Sequence, residues 1–210
     1  MKVDAKFWDG VAEKYAKSPI RDIKAYEYTL ARTQSYLRET DQVLEIGCGT
    51  AATSLQLAPS VEKIVATDLS ASMLEQGQLR VKKAKVANIS LVQATPTTAP
   101  VGPFDVVMAL NLLHLLPKTG DAISAAAERL KPGGLFITKT PCLSEGLKSL
   151  KYRMMLWALP LMQRLGKAPF VQFFTIAELE QAVINAGFEI IECGNFPVDP
   201  PSRYLVARKI

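Results

Sequence analysis

Two glycines and one carboxylate have the types and the spacing of a nucleotide-binding site. Gly47 and Gly49 follow the apolar run 43–46, at the point where a strand must turn sharply into a helix. Because glycine lacks a Cβ, both positions permit a positive φ and let a ligand lie against the backbone. Asp68 ends a second apolar run about 20 residues later, a spacing that brings a carboxylate to ribose hydroxyls. The turn and the carboxylate together predict binding of an adenosine.

The same residues fit two classes of adenosine cofactor. Gly47, Gly49 and Ala52 satisfy the looser form of the dinucleotide fingerprint, so a nicotinamide cofactor is one alternative. Glu45 precedes the turn, and residues 45–50 read Glu-Ile-Gly-Cys-Gly-Thr. This string resembles the first motif of the class I S-adenosylmethionine-dependent methyltransferases. The resemblance continues in register along the chain and favours S-adenosylmethionine.

Other segments carry the same resemblance. Residues 8–15 read Trp-Asp-x-x-Ala-x-x-Tyr, an opening similar to that of the ubiquinone- and menaquinone-biosynthesis-like group of small-molecule methyltransferases. Residues 68–74 look like the second motif of the family, and residues 104–117 look like the fourth. Leu-Lys-Pro-Gly-Gly at 130–134 is a recurrent segment of the family. The resemblance covers roughly residues 5–140 and 172–210.

The resemblance implies a set of cofactor-binding residues near the ends of the predicted strands. Asp68 is expected to accept hydrogen bonds from the ribose, and Leu69 and Met73 are expected to flank the adenine. Packing in a helix core explains Met73 equally well. The expected cofactor-binding residues are Glu45, Gly47, Cys48, Gly49, Ala51, Asp68, Leu69, Met73, Ala94, Thr95 and Asn111.

Two positions depart from the family pattern. Ala51 stands where the family usually has glycine, which affects the fit of the methionine moiety. Ala94 and Thr95 stand where many relatives carry an aspartate that binds the adenine amino group. We therefore expect that amino group to be bound by Thr95, by a backbone carbonyl or by water.

His114 and Tyr15 are the candidates for a direct role in a reaction. His114 is the only histidine and lies just past the fourth predicted strand, at the edge where open sheets bind ligands. It could act as a general base, or it could be a histidine buried at a helix start. Tyr15 could present its hydroxyl to a ligand or pin a helix to the core. Methyl transfer to a good nucleophile depends chiefly on in-line placement, so the chain need not have a dedicated base.

Alternating strands and helices must position these residues. We predict strands at 43–46, 64–67, 89–93, 104–109, 135–138, 188–193 and 204–208. We predict helices over 4–38 with a break near Ser18-Pro19, over 50–59, over 121–130, and from a capping box at Thr175 and Glu178 to 187. Such alternation requires a mostly parallel sheet covered on both faces. The fold class is therefore α/β, Rossmann-like and doubly wound, and the resemblance implies seven strands with an antiparallel last strand.

We expect a single domain over 1–210 with two elaborations, an N-terminal helical cap over 1–40 and a lid-like insertion over 142–174. Residues 154–162 are apolar on every side of a helix, so protein, substrate or lipid must cover them. Pro160 should bend or end that helix. The position of the insertion predicts a hydrophobic pocket for the acceptor. Packing on the sheet, a homodimer interface and contact with a membrane surface are the alternatives.

The charge and the cysteines exclude several classes. The net charge of +5 equals the number of basic residues within 146–177, which has no acidic residue, so the surplus does not indicate a nucleic-acid-binding face. Those five residues are Lys148, Lys151, Arg153, Arg164 and Lys167. Residues 110–117 also lack the Asn-Pro-Pro-Tyr form that is common in enzymes that methylate bases. Three separated cysteines and one histidine predict neither a disulfide framework nor a metal site. Without an apolar run long enough to span a membrane or serve as a signal peptide, we expect a cytoplasmic protein.

Three functions follow from these residues. The first is transfer of a methyl group from S-adenosylmethionine to a small, apolar acceptor. The second is a nicotinamide-dependent oxidoreductase, which has the glycines and Asp68 but no proton-donor set such as Tyr-x-x-x-Lys. The third is a non-catalytic binding module that keeps the fold for partner recognition.

Overall fold

The described part of the chain contains seven strands and seven α-helices, which alternate from β1 to β3 and from β4 to β5. A computed structural model describes residues 2–146 and 150–210, and of residues 2–4, 145–146 and 150–156 it describes the backbone alone. The strands are β1 Gln42–Ile46, β2 Lys63–Asp68, β3 Ile89–Gln93, β4 Phe104–Leu110, β5 Leu130–Pro141, β6 Phe188–Asn195 and β7 Ser202–Lys209. The helices are α1 Lys2–Lys17, α2 Ile23–Gln34, α3 Ala52–Leu57, α4 Ala71–Ala84, α5 Thr119–Arg129, α6 Leu150–Arg164 and α7 Ile176–Asn185. Short 3₁₀ turns lie at 58–60, 113–115 and 143–146.

The strands form one sheet in the order β3-β2-β1-β4-β5-β7-β6. The pairs from β3 to β5 are parallel, whereas β7 runs antiparallel between β5 and β6. The predicted Rossmann-like, seven-stranded sheet with an antiparallel last strand is confirmed.

The sheet is buried on both faces, as a parallel sheet requires. Val43 and Leu44 are neighbours on β1, yet Val43 packs in one apolar cluster and Leu44 in the other. Phe136 and Ile137 divide in the same way on β5, because successive side chains of a strand point to opposite faces. Burying each such side chain stabilises the fold by about 1.5–3 kcal/mol. The core therefore consists of two layers, one between each face of the sheet and its helices.

The carboxyl ends of the central strands meet at one edge. Ile46 at the end of β1 pairs with Thr67 of β2, and Asp68 pairs with Gln93 of β3. On the other side of β1, Glu45 pairs with Met108 of β4. These registers bring the glycine turn after β1 beside Asp68 and beside the loop after β4.

Several predicted boundaries are wrong. The strand expected over 135–138 begins earlier, at Leu130, because Leu130 pairs with Phe104 of β4. The helix expected over 50–59 begins at Ala52, because residues 47–51 form the turn, and it tightens to a 3₁₀ turn at Ala58. Pro160, expected to bend or end its helix, does not end it, because α6 continues to Arg164.

The capping box predicted for α7 is present. Thr175 Oγ1 accepts a hydrogen bond of 3.2 Å from the backbone N–H of Glu178. In return, the Glu178 carboxylate accepts one of 2.8 Å from the backbone N–H of Thr175. Two N–H groups that a helix start would leave without partners are thereby satisfied.

Candidate active site

The turn after β1 has an unusual backbone. Gly47 and Gly49 have φ values of +70° and +54°, in the left-handed region that favours glycine. A Cβ at Gly47 would lie 2.6 Å from Leu112 Cδ1, so a larger residue there would require the Leu112 side chain in the loop after β4 to move. Cys48 N donates a hydrogen bond of 2.8 Å to Thr67 O, which fixes the turn to β2. The turn thus exposes backbone next to the strand ends.

Ala51 adopts the left-handed conformation without being a glycine. Its φ is 54° and its side chain is fully buried. This conformation costs a non-glycine residue roughly 1–2 kcal/mol. A Cβ on Gly77 of α4 would lie 3.4 Å from the Ala51 methyl group, so α4 packs closely beneath the turn. The methyl group is therefore accommodated by packing against α4.

Asp68 is held in place by two backbone N–H groups. Its Oδ2 accepts a hydrogen bond of 2.8 Å from Gly49 N, and its Oδ1 accepts one of 2.9 Å from Ser70 N. Burial raises the pKa of Asp68, although these N–H groups favour its charged form. A carboxylate has about four acceptor positions, so acceptor capacity remains for a hydroxyl donor. The geometry suits a ribose lying beside the glycine turn.

Glu45 lies behind the glycine turn and is 3% exposed. Its carboxylate accepts a hydrogen bond from Ser54 Oγ on α3. Burial raises the pKa of Glu45 to about 7, and the negative charge of Asp68 contributes to the increase. Burial also raises the pKa of the Cys48 thiol well above its usual value. A cationic ligand at the turn would favour ionised Glu45, and its predicted role at the cofactor stays a prediction.

The N-terminal helix α1 packs over this turn. Asp9 Oδ1 accepts hydrogen bonds of 2.6 Å from Ser70 Oγ and 3.2 Å from Ser72 N at the start of α4. The ring of Tyr15 lies against Gly49, with its Cε1 3.9 Å from the position that a Cβ would take. Tyr15 is 53% exposed, and partial burial together with the Asp68 carboxylate raises the pKa of its phenol. The site therefore has a wall from α1 as well as from the sheet.

Leu69 and Ala94, two of the residues predicted to lie near the adenine, follow the ends of β2 and β3, whereas Met73 lies in α4. Met73 is fully buried in α4, as packing in a helix core requires. Ala94 N donates a hydrogen bond of 3.0 Å to Asp68 O, and Gln93 Nε2 donates one of 3.0 Å to Leu69 O. Thr95 Oγ1 is already shared with the hydroxyls of its own turn, at 2.9 Å and 3.1 Å. A role for Thr95 at the adenine amino group stays a prediction.

The loop after β4 brings Asn111 and His114 to the same edge. Asn111 has a φ of 58°, and its N–H donates a hydrogen bond of 2.7 Å to Lys139 O. His114 Nδ1 is buried without a hydrogen-bond partner among the residues that the structure describes. Burial lowers the pKa of His114 to about 4, so its imidazole is neutral near pH 7. Its backbone oxygen accepts a hydrogen bond of 2.6 Å from Gln172 N.

The predicted insertion over 142–174 is attached to this edge at its far end. Besides the contact of Gln172 with His114, Ser144 N donates a hydrogen bond of 3.2 Å to Phe174 O. Between these points, α6 and the residue that follows it present exposed side chains at a spacing of four residues, namely Trp157 at 90%, Leu161 at 62% and Leu165 at 59%. These three side chains do not pack on the sheet.

Part of the predicted insertion surface lies outside the described residues. This applies to Lys148 and to the side chains of Lys151, Arg153, Met154, Met155 and Leu156. Arg164 and Lys167 are described and exposed. Within the described ranges, no helix is both long and apolar enough to cross a membrane.

Comparison with known proteins indicates the family to which this chain is similar. Residues 43–134 match the methyltransferase domain family. This match and the relatives described below support a class I S-adenosylmethionine-dependent methyltransferase. The family resemblance predicted from residues 45–50 is confirmed. The match begins at β1 and ends within β5, so it contains the glycine turn, Asp68 and the loop after β4.

Known methyltransferase sequences and solved structures are similar to this chain over most of its length. A ubiquinone biosynthesis O-methyltransferase from Thiobacillus denitrificans is 27% identical over 199 residues, which is 93% of this chain and 83% of that protein. One from Psychrobacter arcticus is 26% identical over 176 residues, covering 80% of this chain and 67% of that protein. A SAM-dependent methyltransferase structure from Methanosarcina mazei superposes with a TM-score of 0.71 at 19% identity, covering 85% and 97% of the two chains. The superposition shows the shared fold.

Three residues at or near the site have no role predicted from the sequence. Asp9 was part of a recognised motif but had no predicted role, although its carboxylate holds α1 against α4. Ser70 accepts a hydrogen bond of 3.1 Å from Met73 N and is the N-cap of α4. A serine just before a helical segment is the usual signal for such a cap. Lys139 lies at the end of β5, and no sequence signal pointed to it.

Proposed function

We propose that this chain transfers the methyl group of S-adenosylmethionine to a small, apolar acceptor. The observation that carries the proposal is the 2.8 Å contact between the Asp68 carboxylate and Gly49 N, which joins the ribose-binding group to the glycine turn. Gly47 lets the turn pack against the loop after β4, because a Cβ at this position would collide with the Leu112 side chain. The family assignment supports this cofactor over a nicotinamide.

The residues around the turn would bind and orient the cofactor. The remaining acceptor capacity of Asp68 suits a ribose hydroxyl, and the strand end at Leu69 and Ala94 suits the adenine. Buried Glu45 favours a positive charge at the turn. S-adenosylmethionine supplies a methyl group on a positively charged sulfur. The sulfur is a good leaving group when a nucleophile approaches the methyl carbon in line. The chain contributes placement, and placement can lower the barrier by about 7–11 kcal/mol.

The acceptor would approach from the loop after β4 and from the insertion over 142–174. His114 is neutral near pH 7 and lies at that edge, so it could accept a proton from an acceptor hydroxyl, and Tyr15 borders the opposite side. The exposed apolar side chains of α6 suit an apolar acceptor. The relatives from Thiobacillus denitrificans and Psychrobacter arcticus are named for O-methylation in ubiquinone biosynthesis, which supports an acceptor of that kind. Cys48 is buried and forms no disulfide, which suits the reducing cytoplasm.

A binding screen followed by a turnover assay tests the proposal. Thermal shift with S-adenosylmethionine, S-adenosylhomocysteine and NADH should show stabilisation by the first two ligands alone. Radiolabelled S-adenosylmethionine and a panel of apolar phenols should then give a methylated product. Binding without turnover on any acceptor would favour the non-catalytic module, and stabilisation by NADH alone would overturn the proposal.

A further inference from the structure

Lys139 lies in a small cleft at the carboxyl end of β5. The cleft has a volume of about 30 Å³ and lies between α2, α3 and the ends of β4 and β5. Its polar lining includes Tyr26 and Thr29 of α2, Thr53 of α3 and Asn111 after β4. A volume of this size is roughly that of one water molecule, so it can hold one small polar group.

The ammonium group of Lys139 is incompletely satisfied by the protein. Its Nζ lies 3.3 Å from Thr29 Oγ1 and 3.4 Å from Ala25 O, both longer than the usual range for such a bond. An ammonium can donate three hydrogen bonds, so donor capacity is left over. By contrast, Lys209 Nζ lies 3.0 Å from Leu130 O, and Lys131 Nζ lies 2.6 Å from Asp105 Oδ1.

No carboxylate of the described residues lies within 4.0 Å of the Lys139 ammonium. The side chain is half-buried, and burial lowers the pKa of Lys139, whereas the charge of Asp22 at the start of α2 acts in the other direction. A buried charge without a partner is costly, and buried charges in proteins are usually paired. An anion entering the cleft would supply the missing partner.

The cleft adjoins the region in which the methyl group must be transferred. Lys139 pairs with Leu110 at the end of β4, and its backbone oxygen accepts the 2.7 Å hydrogen bond from Asn111 N. Thr53 lies in the first turn of α3, directly after the glycine turn. Ligands of open α/β sheets bind outside this edge. A group bound at Lys139 would lie beside the cofactor site and on the side of α2.

We propose that Lys139 binds an anionic oxygen, a phenolate or a carboxylate, of the methyl acceptor. This inference rests on the proposed methyl transfer and adds the chemical class of the acceptor's polar end. The cleft takes the charged oxygen, Thr29 and Asn111 offer further polar contacts, and the apolar remainder lies outside the cleft. Lys139 is thus a substrate-binding residue that selects acidic acceptors over neutral ones of the same shape.

Two pairs of small probes test this selection. Benzoate is compared with neutral benzamide, and 4-nitrophenolate is compared with neutral 4-nitroanisole, so that carboxylate and phenolate binding are distinguished. Affinities are measured by NMR titration with and without S-adenosylhomocysteine. The variants are Lys139→Met, which keeps the length and removes the charge, Lys139→Arg, which keeps the charge, and Lys83→Met on exposed α4 as the control for net charge.

The wild type should bind at least one anion roughly tenfold tighter than its neutral counterpart, a difference of about 1.4 kcal/mol. Lys139→Met should abolish the difference, whereas Lys139→Arg and Lys83→Met should retain it. The ¹³Cε resonance of Lys139 in the wild type should move with the anion alone, which tests the proposal even if Lys139→Met does not fold. Equal affinities for anion and neutral probe, unchanged anion affinity in folded Lys139→Met, or absence of saturable anion binding would overturn the inference.

The binding of S-adenosylhomocysteine is measured separately by calorimetry on the same variants. If the wild type binds S-adenosylhomocysteine but does not distinguish the probes, the assignment of Lys139 fails and the proposed methyl transfer stands. If the wild type does not bind S-adenosylhomocysteine, the proposed function fails, and the titrations on the free chain still decide whether Lys139 binds anions.

Discussion

Asp9 Oδ1 on α1 accepts a hydrogen bond of 2.6 Å from Ser70 Oγ, the N-cap of α4. These residues are 61 positions apart in the chain, so the contact joins the first helix to the strand-helix turn that carries Asp68. Tyr15 lies about two turns further along α1 and packs against Gly49. The Asp9 carboxylate is therefore one of the contacts that hold the N-terminal helix over the site, together with the bond from Arg80 on α4 to Ala16 O.

Removing that carboxylate should loosen α1 without disturbing the sheet. Asp9→Ala deletes two hydrogen bonds to α4, and we expect the affinity for S-adenosylhomocysteine to fall roughly tenfold, which corresponds to about 1.4 kcal/mol. Titration calorimetry measures the change. Glu13→Ala is the matched control, because among the described residues the Glu13 side chain pairs with exposed Lys17 on the same helix and not with α4. Equal affinities of the two variants would show that α1 is not held by Asp9.

Glu45 should make the stability of the chain depend on pH. Burial raises the pKa of Glu45 from about 4.5 when unfolded to about 7 when folded, so the folded state binds the proton more tightly. The contribution of this group to stability is complete below pH 4.5 and is lost as the pH rises through 7. A shift of this size corresponds to roughly 3 kcal/mol. Glu45→Gln, which cannot ionise, should remove that loss.

The measurement compares free energies of unfolding in denaturant across this pH range. Glu45→Gln should gain stability relative to the wild type as the pH rises, up to the order of 3 kcal/mol. The difference between the two proteins is the quantity to use, because the lowered pKa of His114 gives an opposite slope between pH 6.5 and 4. A difference that does not change with pH would contradict the buried environment of Glu45.

His114 should affect turnover only modestly. With a pKa lowered to about 4, its imidazole is a weak base, and placement of the acceptor dominates the reaction. We expect His114→Ala to lower kcat by no more than roughly tenfold, whereas an essential general base contributes about 10²–10⁴. The assay uses a phenol from the acceptor panel. A loss of a hundredfold or more with unchanged affinity for S-adenosylhomocysteine would identify His114 as the general base.

The insertion should be needed for the acceptor and not for the cofactor. Deleting 146–168 and closing the gap with a short Gly-Ser bridge should preserve binding of S-adenosylhomocysteine and abolish methylation of apolar acceptors. A milder variant replaces the exposed side chains of Trp157, Leu161 and Leu165 with serine and should raise KM for the acceptor. Failure of the deletion variant to fold, or a change from dimer to monomer with full turnover, would show that the segment is not a lid.

Local patterns predicted the parts of the fold that depend on local chemistry. The strand 89–93 and the capping box of Thr175 and Glu178 are as expected, because both are encoded within a few residues. The start of β5 at Leu130 depends instead on pairing with Phe104 of β4, which a pattern of prolines and glycines does not reveal. Helix α6 continues past Pro160, so the sequence rule for proline did not decide its end.

The site likewise contains contacts that local patterns predict and contacts that depend on long-range packing. Gly49 and Asp68 were placed together correctly, because parallel neighbouring strands end at one edge of a sheet. The contacts of Asp9 with Ser70 and of Lys139 with Thr29 join elements 61 and 110 residues apart, and they depend on how helices dock on the sheet. No periodicity or motif encodes that docking.

We propose that Asp68 and the glycine turn bind S-adenosylmethionine, a claim that calorimetric titration with S-adenosylhomocysteine can test. The wild type should bind one molecule per chain. Asp68→Ala should remain folded and bind roughly a hundredfold more weakly or worse, since charge-assisted hydrogen bonds are worth about 1.5–3 kcal/mol each. Asp68→Asn, which keeps one acceptor oxygen, should lie between the two. Unchanged affinity in folded Asp68→Ala, or no binding by the wild type, would contradict the claim.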